Sequence, residues 1–208
     1  MSTTTTVFDL PLHDVFILRI LNQLSLKDLF NLRCCSRRTR LAVDTALTDL
    51  KELNLSTNNS KYIDRAFEVL ATNCINLQTL NLSNCHWLSN DLLMPLLLAN
   101  PKLRVIDVHE CCKVTPTALQ AITGEQLEKL TINKCLWEVF DNWTEGCITI
   151  YEHCMVNCFS NLPHLKELSM KYTMYLTDEV LIAVAKNCPN LRILDVTGCH
   201  QITDIGME

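Results

Sequence analysis

Leu77-Gln78-Thr79-Leu80-Asn81-Leu82 is the stretch that decides the fold of this chain, because its pattern of leucines recurs along the sequence. Apolar residues at the first, fourth and sixth positions of this hexapeptide return in five further copies. The six triplets are Leu50, Leu53 and Leu55; Leu77, Leu80 and Leu82; Leu103, Ile106 and Val108; Leu127, Leu130 and Ile132; Leu165, Leu168 and Met170; and Leu191, Leu194 and Val196. Such self-similarity predicts a solenoid, in which each repeat buries its apolar face against its neighbours.

The repeats follow one another at the distance that one strand and one helix require. Successive copies begin 27, 26, 24, 38 and 26 residues apart, and this spacing is typical of leucine-rich repeats. Capping residues in Ser89-Asn90-Asp91 and Thr177-Asp178-Glu179 precede apolar runs with helical period, and Asn100-Pro101 and Asn187-Cys188-Pro189 end those helices. We therefore predict an α/β solenoid of about six repeats over residues 49–208, with parallel strands on the concave face and helices on the convex face. The C-terminal repeat is expected to be incomplete.

The repeat pattern is irregular over residues 136–163. The spacing from Leu127 to Leu165 exceeds the usual one by about 12 residues, and the added sequence is aromatic. Its rings and apolar side chains are Trp137, Phe140, Trp143, Ile148, Ile150 and Tyr151. Two interpretations remain open: a repeat helix lengthened by a loop that grips a partner, or rings that fill the core of an irregular repeat.

Alternation along each strand places a second set of side chains on the concave face, away from the helices. The predicted partner-binding residues are Glu52, Asn54, Thr79, Asn81, Val105, Asp107, His109, Lys129, Thr131, Glu167, Ser169, Lys171, Tyr172 and Asp195, with Glu110, Lys134 and Ile193 beside them. Their mixed acidic, basic and hydroxyl character favours a protein partner over nucleic acid, because no basic stripe with interleaved aromatic rings is present. An ordinary solvated sheet face is the alternative for each of them.

Charge and hydropathy exclude several functional classes. The net charge of −5 gives no overall attraction to nucleic acid or anionic membranes. The longest apolar run, residues 92–99, is shorter than the roughly 18 residues that a membrane span needs. The N-terminal residues show no secretory signal, so we expect a cytoplasmic protein with reduced thiols and leave a nuclear location open.

Half of the twelve cysteines belong to the repeat pattern rather than to a disulfide framework. Cys85, Cys111, Cys135 and Cys199 each lie three residues after the last apolar position of a hexapeptide, and Cys74 and Cys188 lie three residues before the first. Reduced cysteine behaves as a small, weakly polar side chain, which suits a tight buried turn. We therefore predict a structural role for these thiols.

We expect neither a metal, a cofactor nor a catalytic site. Cys147, His153, Cys154 and Cys158 crowd together, but no pair among them has the CxxC spacing of structural zinc sites. Cysteine and histidine occur without an identifiable orienting group for nucleophilic catalysis, and the four glycines form no phosphate-binding loop.

A short helical module precedes the repeats. Leu10-Pro11 opens a predicted helix, because proline is tolerated in the first helical turn, and its apolar residues are Val15, Leu18, Ile20, Leu21 and Leu24. Ser25 and Asp28 have capping-box spacing at the start of a second helix, and a third begins near Ser36. Three short helices of this composition expose more apolar surface than they bury among themselves, which predicts a docking partner.

This module resembles the F-box. The residues that carry the resemblance are Leu10-Pro11, Ile20-Leu21, Leu24, Asp28-Leu29, Leu32-Arg33, Arg37-Arg38 and Leu41-Ala42, while Thr39 stands where the family often has tryptophan. With its repeats, the chain resembles the F-box and leucine-rich-repeat family over nearly its whole length. The resemblance implies a non-catalytic substrate adaptor of an SCF-type ubiquitin ligase. The F-box would dock on the Skp adaptor, which bridges to a cullin-RING scaffold, and the repeats would hold a protein substrate for ubiquitination.

The same resemblance implies the domain bounds and the docking residues. Residues 1–7 are expected to be a disordered N-terminus, residues 8–48 an F-box and residues 49–208 the repeats. The implied contacts with the Skp adaptor are Leu10, Pro11, Val15, Leu18, Ile20, Leu21, Leu24, Asp28, Leu29 and Leu32.

The alternative is a leucine-rich-repeat scaffold or inhibitor that is not coupled to a ligase. In that case Leu10, Pro11, Ile20, Leu21 and Leu29 would be buried against the first repeat instead of the Skp adaptor. The basic cluster of Arg33, Arg37, Arg38 and Arg40 has its own two interpretations, an acidic partner surface or a solvated helix face.

Overall fold

Six parallel strands form one sheet in the order of the sequence. The computed structural model describes residues 24–56, 63–122, 124, 126–135 and 145–207. The strands are β1 (Glu52–Asn54), β2 (Thr79–Asn81), β3 (Val105–Asp107), β4 (Lys129–Thr131), β5 (Glu167–Ser169) and β6 (Ile193–Asp195). The fourth residue of each hexapeptide lies at the centre of its strand, so that Leu80 is opposite both Leu53 and Ile106.

The helices form a second layer behind the sheet. They are α3 (Ile63–Asn73), α4 (Asn90–Ala99), α5 (Pro116–Leu119), α6 (Glu145–Phe159) and α7 (Asp178–Asn187), followed by a 3-10 helix at Asp204–Met207. Each helix from α3 to α7 packs against the next. Neighbouring strands are about 4.8 Å apart whereas packed helices need about 8–10 Å, so the sheet lies on the concave side. The predicted α/β solenoid is confirmed.

The apolar triplets of the hexapeptides form the core between the two layers. Leu77, Leu80 and Leu82 are completely buried, and the same positions are buried in the third, fourth and fifth copies. In the sixth copy Leu194 is 39% exposed. Each repeat therefore buries its leucines against the repeat that follows it, as a solenoid requires.

Two capped helices, α1 (Leu26–Cys35) and α2 (Arg37–Thr48), precede the sheet. The Ser25 hydroxyl accepts a hydrogen bond from the Asp28 N–H at 3.2 Å. Ser36 and Thr39 form a reciprocal capping box, in which each side-chain oxygen accepts from the backbone N–H of the other at 3.1 and 2.9 Å. Both predicted helix starts are confirmed. Thr39, which stands where proteins with this resemblance often have tryptophan, is buried and belongs to this cap.

Arg33 joins these two helices and is turned away from the predicted basic surface. Its Nε and Nη2 atoms donate to the two carboxylate oxygens of Asp44 at 2.6 and 3.3 Å, and both side chains are about three-quarters buried. A bidentate pair of this kind fixes the geometry of α1 against α2. Arg37, Arg38 and Arg40 are exposed on α2.

The helix starts after β2 and β5 lie where predicted, but the predicted capping mechanism is wrong. Ser89 and Thr177 make no side-chain hydrogen bond to their own helices. Instead, Asn90 bonds the next repeat: its Oδ1 accepts from the Thr115 N–H at 2.9 Å and its Nδ2 donates to Thr115 Oγ1 at 2.7 Å. The side chain at the first helical position therefore ties one repeat to its neighbour.

Asp178 makes the equivalent connection at the start of α7. Its Oδ1 accepts from the Thr203 N–H at 2.9 Å, and its Oδ2 accepts from the Thr203 hydroxyl at 2.6 Å. These hydrogen bonds lower the pKa of the Asp178 carboxyl.

The repeat cysteines also connect neighbouring repeats, which confirms their structural role. The thiols of Cys85, Cys111, Cys135 and Cys199 contact the backbone carbonyl that ends the preceding hexapeptide. The distances from sulfur to the carbonyl oxygens of Leu55, Leu82, Val108 and Met170 are 3.6, 3.0, 3.2 and 3.0 Å respectively. Each contact satisfies a carbonyl at the end of a strand by a weak donor from the next turn.

The irregular segment contains the helix of its repeat. Helix α6 places Tyr151 in the core, whereas Ile150 is 64% exposed. Cys154 and Cys158 are buried on the same helix and His153 is exposed. Trp137, Phe140, Trp143 and the side chains of Cys147 and Ile148 lie outside the described part of the chain. Core filling therefore applies to Tyr151, and the interpretation of the other rings stays a prediction.

The described residues offer neither a metal-binding cluster nor a membrane-spanning helix. They contain no group of three or more histidine, cysteine, aspartate or glutamate side chains that could hold a metal ion. None of the helices described above is long and apolar enough to cross a membrane.

Candidate protein-binding face

The concave face presents three rows of side chains that run across the strands. The first row comes directly before each strand and consists of Lys51, Gln78, Arg104, Glu128, Lys166 and Arg192. The second row opens the strands with Glu52, Thr79, Val105, Lys129, Glu167 and Ile193. The third row closes them with Asn54, Asn81, Asp107, Thr131, Ser169 and Asp195. All eighteen side chains are exposed or half-buried, so the rows together offer a continuous polar surface.

Several side chains of the third row form hydrogen bonds within their own turns, which the sequence analysis did not predict. Asn81 Oδ1 accepts hydrogen bonds from the N–H and the hydroxyl of Ser83 at 3.0 and 2.8 Å. Asp107 Oδ1 accepts from the His109 N–H at 2.9 Å, and Asn54 and Asp195 form the same kind of Asx turn. These oxygens hold the chain where it leaves the strand, which reduces what they offer to a partner.

Ser169 of the third row bonds to an asparagine of the preceding repeat instead. Asn133 Oδ1 accepts from the Ser169 hydroxyl and from the Lys171 N–H, each at 2.8 Å. The asparagine of one repeat thus supports the turn of the next repeat, and Ser169 is held in place on the face.

A groove of about 240 Å³ crosses the face between β4 and β6. Two ion pairs span it: Lys129 Nζ lies 2.8 Å from Glu167 Oε2, and Lys171 Nζ lies 2.7 Å from Asp195 Oδ2. The Lys171 ammonium, and secondarily Thr197, lower the pKa of Asp195 to about 2. Ile193 is 55% exposed beside them. The groove therefore combines paired charges with one apolar side chain, as protein interfaces commonly do.

Glu128 lies at the centre of the first row and binds both of its neighbours. Arg104 Nε donates to Glu128 Oε1 at 2.9 Å, with Arg104 Nη2 also on Oε1, and Lys166 Nζ donates to Glu128 Oε2 at 2.9 Å. Lys166 and then Arg104 lower the pKa of Glu128 to about 2. A pocket of about 390 Å³ surrounds this cluster, with Gln126 and His164 in its wall.

The first row was not predicted, because alternation extended backward from the fourth position of each hexapeptide turns the second residue towards the core. Each strand begins at the third position, so the alternation does not reach the second residue, which is exposed or half-buried as well. The hexapeptide pattern itself could have predicted this row, because two consecutive residues without a recurring apolar side chain separate its first and fourth positions. Both of them lie outside the core.

Beyond the third row, each turn places one residue in the left-handed backbone region. These residues are Asn84, Glu110, Lys134, Tyr172 and Gly198, with φ of 63, 55, 48, 54 and 74°. Lys134 Nζ lies 2.9 Å from Glu110 Oε1 and 5.7 Å from the centroid of the Tyr172 ring. The contact with Lys134 lowers the pKa of Glu110 and raises that of Lys134. Three side chains from successive repeats therefore form one chain of contacts along the edge of the face.

Gly198 makes room for the last member of that chain. A Cβ atom at this position would lie 2.4 Å from a carbon of the Tyr172 ring, and φ of 74° is itself unfavourable for other residues. Tyr172 remains 48% exposed, so its free edge is available to a partner. His109 lies on the same edge, with Nε2 3.7 Å from Glu110 Oε1.

Comparison with known proteins places both parts of the chain. A model of the F-box domain matches residues 8–48, and a leucine-rich-repeat model matches residues 187–208. The chain combines an F-box with leucine-rich repeats. It is similar to F-box/LRR-repeat protein 15 of Mus musculus and of Rattus norvegicus, at 32% identity over 117 residues in each case. The match covers 56% of this chain and 39% of each relative, so the chain spans about two fifths of the length of the curated relatives it matches.

A solved structure supports the fold of this F-box and leucine-rich-repeat chain. The tropomodulin C-terminal domain of Caenorhabditis elegans superimposes with a TM-score of 0.52 at 17% sequence identity. The superposition covers 80% of this chain and 93% of that domain. At this identity the similarity concerns the arrangement of strands and helices alone.

The F-box residues predicted to contact the Skp adaptor divide into two groups. Leu10, Pro11, Val15, Leu18, Ile20 and Leu21 lie outside the described residues, as does the predicted disordered segment 1–7. Asp28 is exposed and holds the cap of α1. Leu29 is only 8% exposed and belongs to the apolar core, and Leu24 and Leu32 are half-buried against that core.

The burial of Leu29 bears on the two interpretations of this module. An uncoupled scaffold would bury Leu29 within the chain, and the described structure does so. A contact with the Skp adaptor would then depend on the other predicted docking residues. Leu24, Asp28 and Leu32 are at least partly exposed, and the others lie outside the described part of the chain.

Proposed function

We propose that this chain is the substrate-recognition adaptor of an SCF-type ubiquitin ligase. Its F-box docks on the Skp adaptor and through it on a cullin-RING scaffold, and its repeats bind a protein substrate for ubiquitination. Proteins that combine an F-box with leucine-rich repeats are generally non-catalytic adaptors, so ubiquitin transfer is left to other subunits.

The observation that carries the proposal is the order of the two parts. The F-box match at residues 8–48 ends at the last residue of α2, and β1 begins at Glu52. The N-cap of α1, the capping box of α2 and the Arg33–Asp44 pair make α1 and α2 a defined unit attached to the first repeat. The polar concave face then supplies the second binding surface that an adaptor needs. The cytoplasmic location remains a prediction.

Co-purification with the Skp adaptor tests this function directly. We expect the 208-residue chain to bind the Skp adaptor stoichiometrically, and the double variant Leu10→Ala, Pro11→Ala to lose that binding. Ile182→Ala is the matched control, because this side chain is 50% exposed on α7, far along the sequence from the F-box. A folded wild-type chain that does not bind would contradict the proposal and favour a repeat scaffold that is not coupled to a ligase.

A further inference from the structure

The first row concentrates positive charge on a chain that is negative overall. It carries Lys51, Arg104, Lys166 and Arg192 against the single carboxylate Glu128, whereas the whole chain has a net charge of −5. The backbone aligns these residues, because each N–H from Gln78 to Arg192 donates to the carbonyl of the preceding member at 2.7 or 2.8 Å. The side chains therefore stand side by side at intervals of about 4.8 Å.

The charge of this row is accessible, and the second row beside it carries Glu52, Lys129 and Glu167. The side chain of Arg104 is 54% exposed and that of Lys166 is 45% exposed. Arg192 is exposed and makes no ion pair with any residue that the structure describes. In the second row, Lys129 and Glu167 neutralise each other at 2.8 Å, and the remaining carboxylate, Glu52, follows Lys51 at the opposite end of the row from Arg192.

Glu128 shows what kind of group this row accepts. Its two oxygens are held by Arg104 and Lys166 from the strands on either side, and these contacts, first that of Lys166, lower the pKa of the Glu128 carboxyl to about 2. The protein thus supplies one carboxylate of its own to the row, while the Arg192 guanidinium has no ion pair with the described residues.

We propose that the first row binds an acidic, extended segment of the protein substrate through the carboxylates of its aspartate and glutamate residues. This inference rests on the proposed function, because it names the class of substrate that the repeats would hold. Charge complementarity favours it: a carboxylate ligand meets Arg192 directly and competes with Glu128 for Arg104 and Lys166.

The geometry of the row also limits the length of the segment. Arg104 and Arg192 are three strands apart, a distance of about 14 Å that corresponds to about four residues of extended chain. A segment with two or three carboxylates within about five consecutive residues therefore matches the row. Isolated acidic residues meet one cation at a time and bind weakly.

Fluorescence anisotropy with a labelled decaglutamate peptide tests the proposal on the 208-residue chain, with a glycine-serine peptide of equal length as the reference. We expect the decaglutamate peptide alone to bind, more weakly as the ionic strength rises. Arg192→Glu should weaken binding about fivefold, because it exchanges attraction for repulsion. Glu128→Gln should strengthen binding about threefold, because it releases Arg104 and Lys166.

The control variant Lys186→Glu makes the same charge change on the exposed outer side of α7 and should alter affinity less than about twofold. Equal losses in Arg192→Glu and Lys186→Glu would show that bulk charge alone attracts the peptide, which overturns the proposal. Absence of decaglutamate binding at low ionic strength would overturn it too, as would weaker binding by a folded Glu128→Gln variant.

The two proposals fail separately in these experiments. Absence of Skp-adaptor binding by the folded wild-type chain leaves the peptide measurement intact and contradicts only the ligase function. Conversely, a chain that binds the Skp adaptor but not the acidic peptide retains the ligase function and lacks this class of substrate.

Discussion

The same residue type fills the equivalent turn of several repeats in this protein, and cysteine is the clearest case. Burial raises the pKa of Cys85 to about 11 and that of Cys135 to about 12, so both thiols stay protonated and can donate to a strand-end carbonyl. The constant distance of these cysteines from the hexapeptides was enough to predict a structural role. The carbonyl partner was not predictable, because it belongs to the preceding repeat.

The reactivity of each thiol should depend on whether it is exposed or buried. Under native conditions at neutral pH we expect iodoacetamide to modify Cys34 and Cys35, which are exposed on α1, well before Cys74, Cys135 and Cys158. Burial raises the pKa of these three thiols to about 12, and the thiolate is the reactive form. Peptide mapping by mass spectrometry after timed alkylation measures the order. Modification of Cys135 as fast as Cys34 in the folded protein would contradict the structure.

At the scale of the elements, one buried side chain joins two helix ends to a strand. Asn100 follows α4, and its Nδ2 donates to the carbonyls of Cys74 and Leu96 at 2.7 and 2.8 Å. Its Oδ1 accepts from the Leu77 N–H at 2.7 Å. Asn100 was predicted only as part of a helix-ending Asn-Pro pair, because the sequence does not show which distant groups converge on it.

Replacing this side chain should therefore weaken the whole repeat. We expect Asn100→Ala to lower the free energy of unfolding by about 2–4 kcal/mol, since it leaves buried backbone groups without partners. Asn190→Ala is the control: Asn190 is exposed and makes one hydrogen bond to the Pro163 carbonyl, so we expect a loss below about 1 kcal/mol. Urea denaturation of both variants measures the difference, and equal losses would disprove the assigned role.

The positions of the strands and helices were more predictable from the sequence than the hydrogen-bond partners of their side chains. The hexapeptides gave all six strands, and capping residues marked the starts of α1, α2, α4 and α7. By contrast, Asn81 and Asp195 were assigned to a partner although their oxygens hold their own turns. The Asn81-x-Ser83 and Asp195-x-Thr197 patterns already contained that signal. The first row was not predicted, because the exposure of its side chains depends on the residue at which each strand begins.

At the scale of the whole molecule, carboxylates with lowered pKa values link stability to acid conditions. A carboxylate whose pKa falls on folding stabilises the native state above its unfolded pKa, which is about 4.3 for glutamate. For Glu128 that contribution is lost as the pH falls from there through its folded value of about 2.

Stability measured against pH should reveal this contribution. Between pH 5 and 2, about the window set by the two pKa values, we expect the unfolding free energy of Glu128→Gln to depend less on pH than that of the wild type. Glu68→Gln is the control, because Glu68 is exposed on α3 and forms no ion pair with the residues described. Denaturant titrations at several pH values give the curves. Identical pH dependence in wild type and Glu128→Gln would refute the structural cause of the shift.

The register of β4 and β5 has a consequence for how such a molecule can change. These strands pair Leu130 with Leu168 as regularly as any others, although their hexapeptides begin 38 residues apart. Part of the extra length is in α6, which has 15 residues against 10 in α4 and in α7, so the helical side of a repeat serves as an adjustable spacer while the strands keep their spacing. Insertions and deletions can thus accumulate on one side without disturbing the alignment of side chains on the other, and the two sides are free to diverge at different rates.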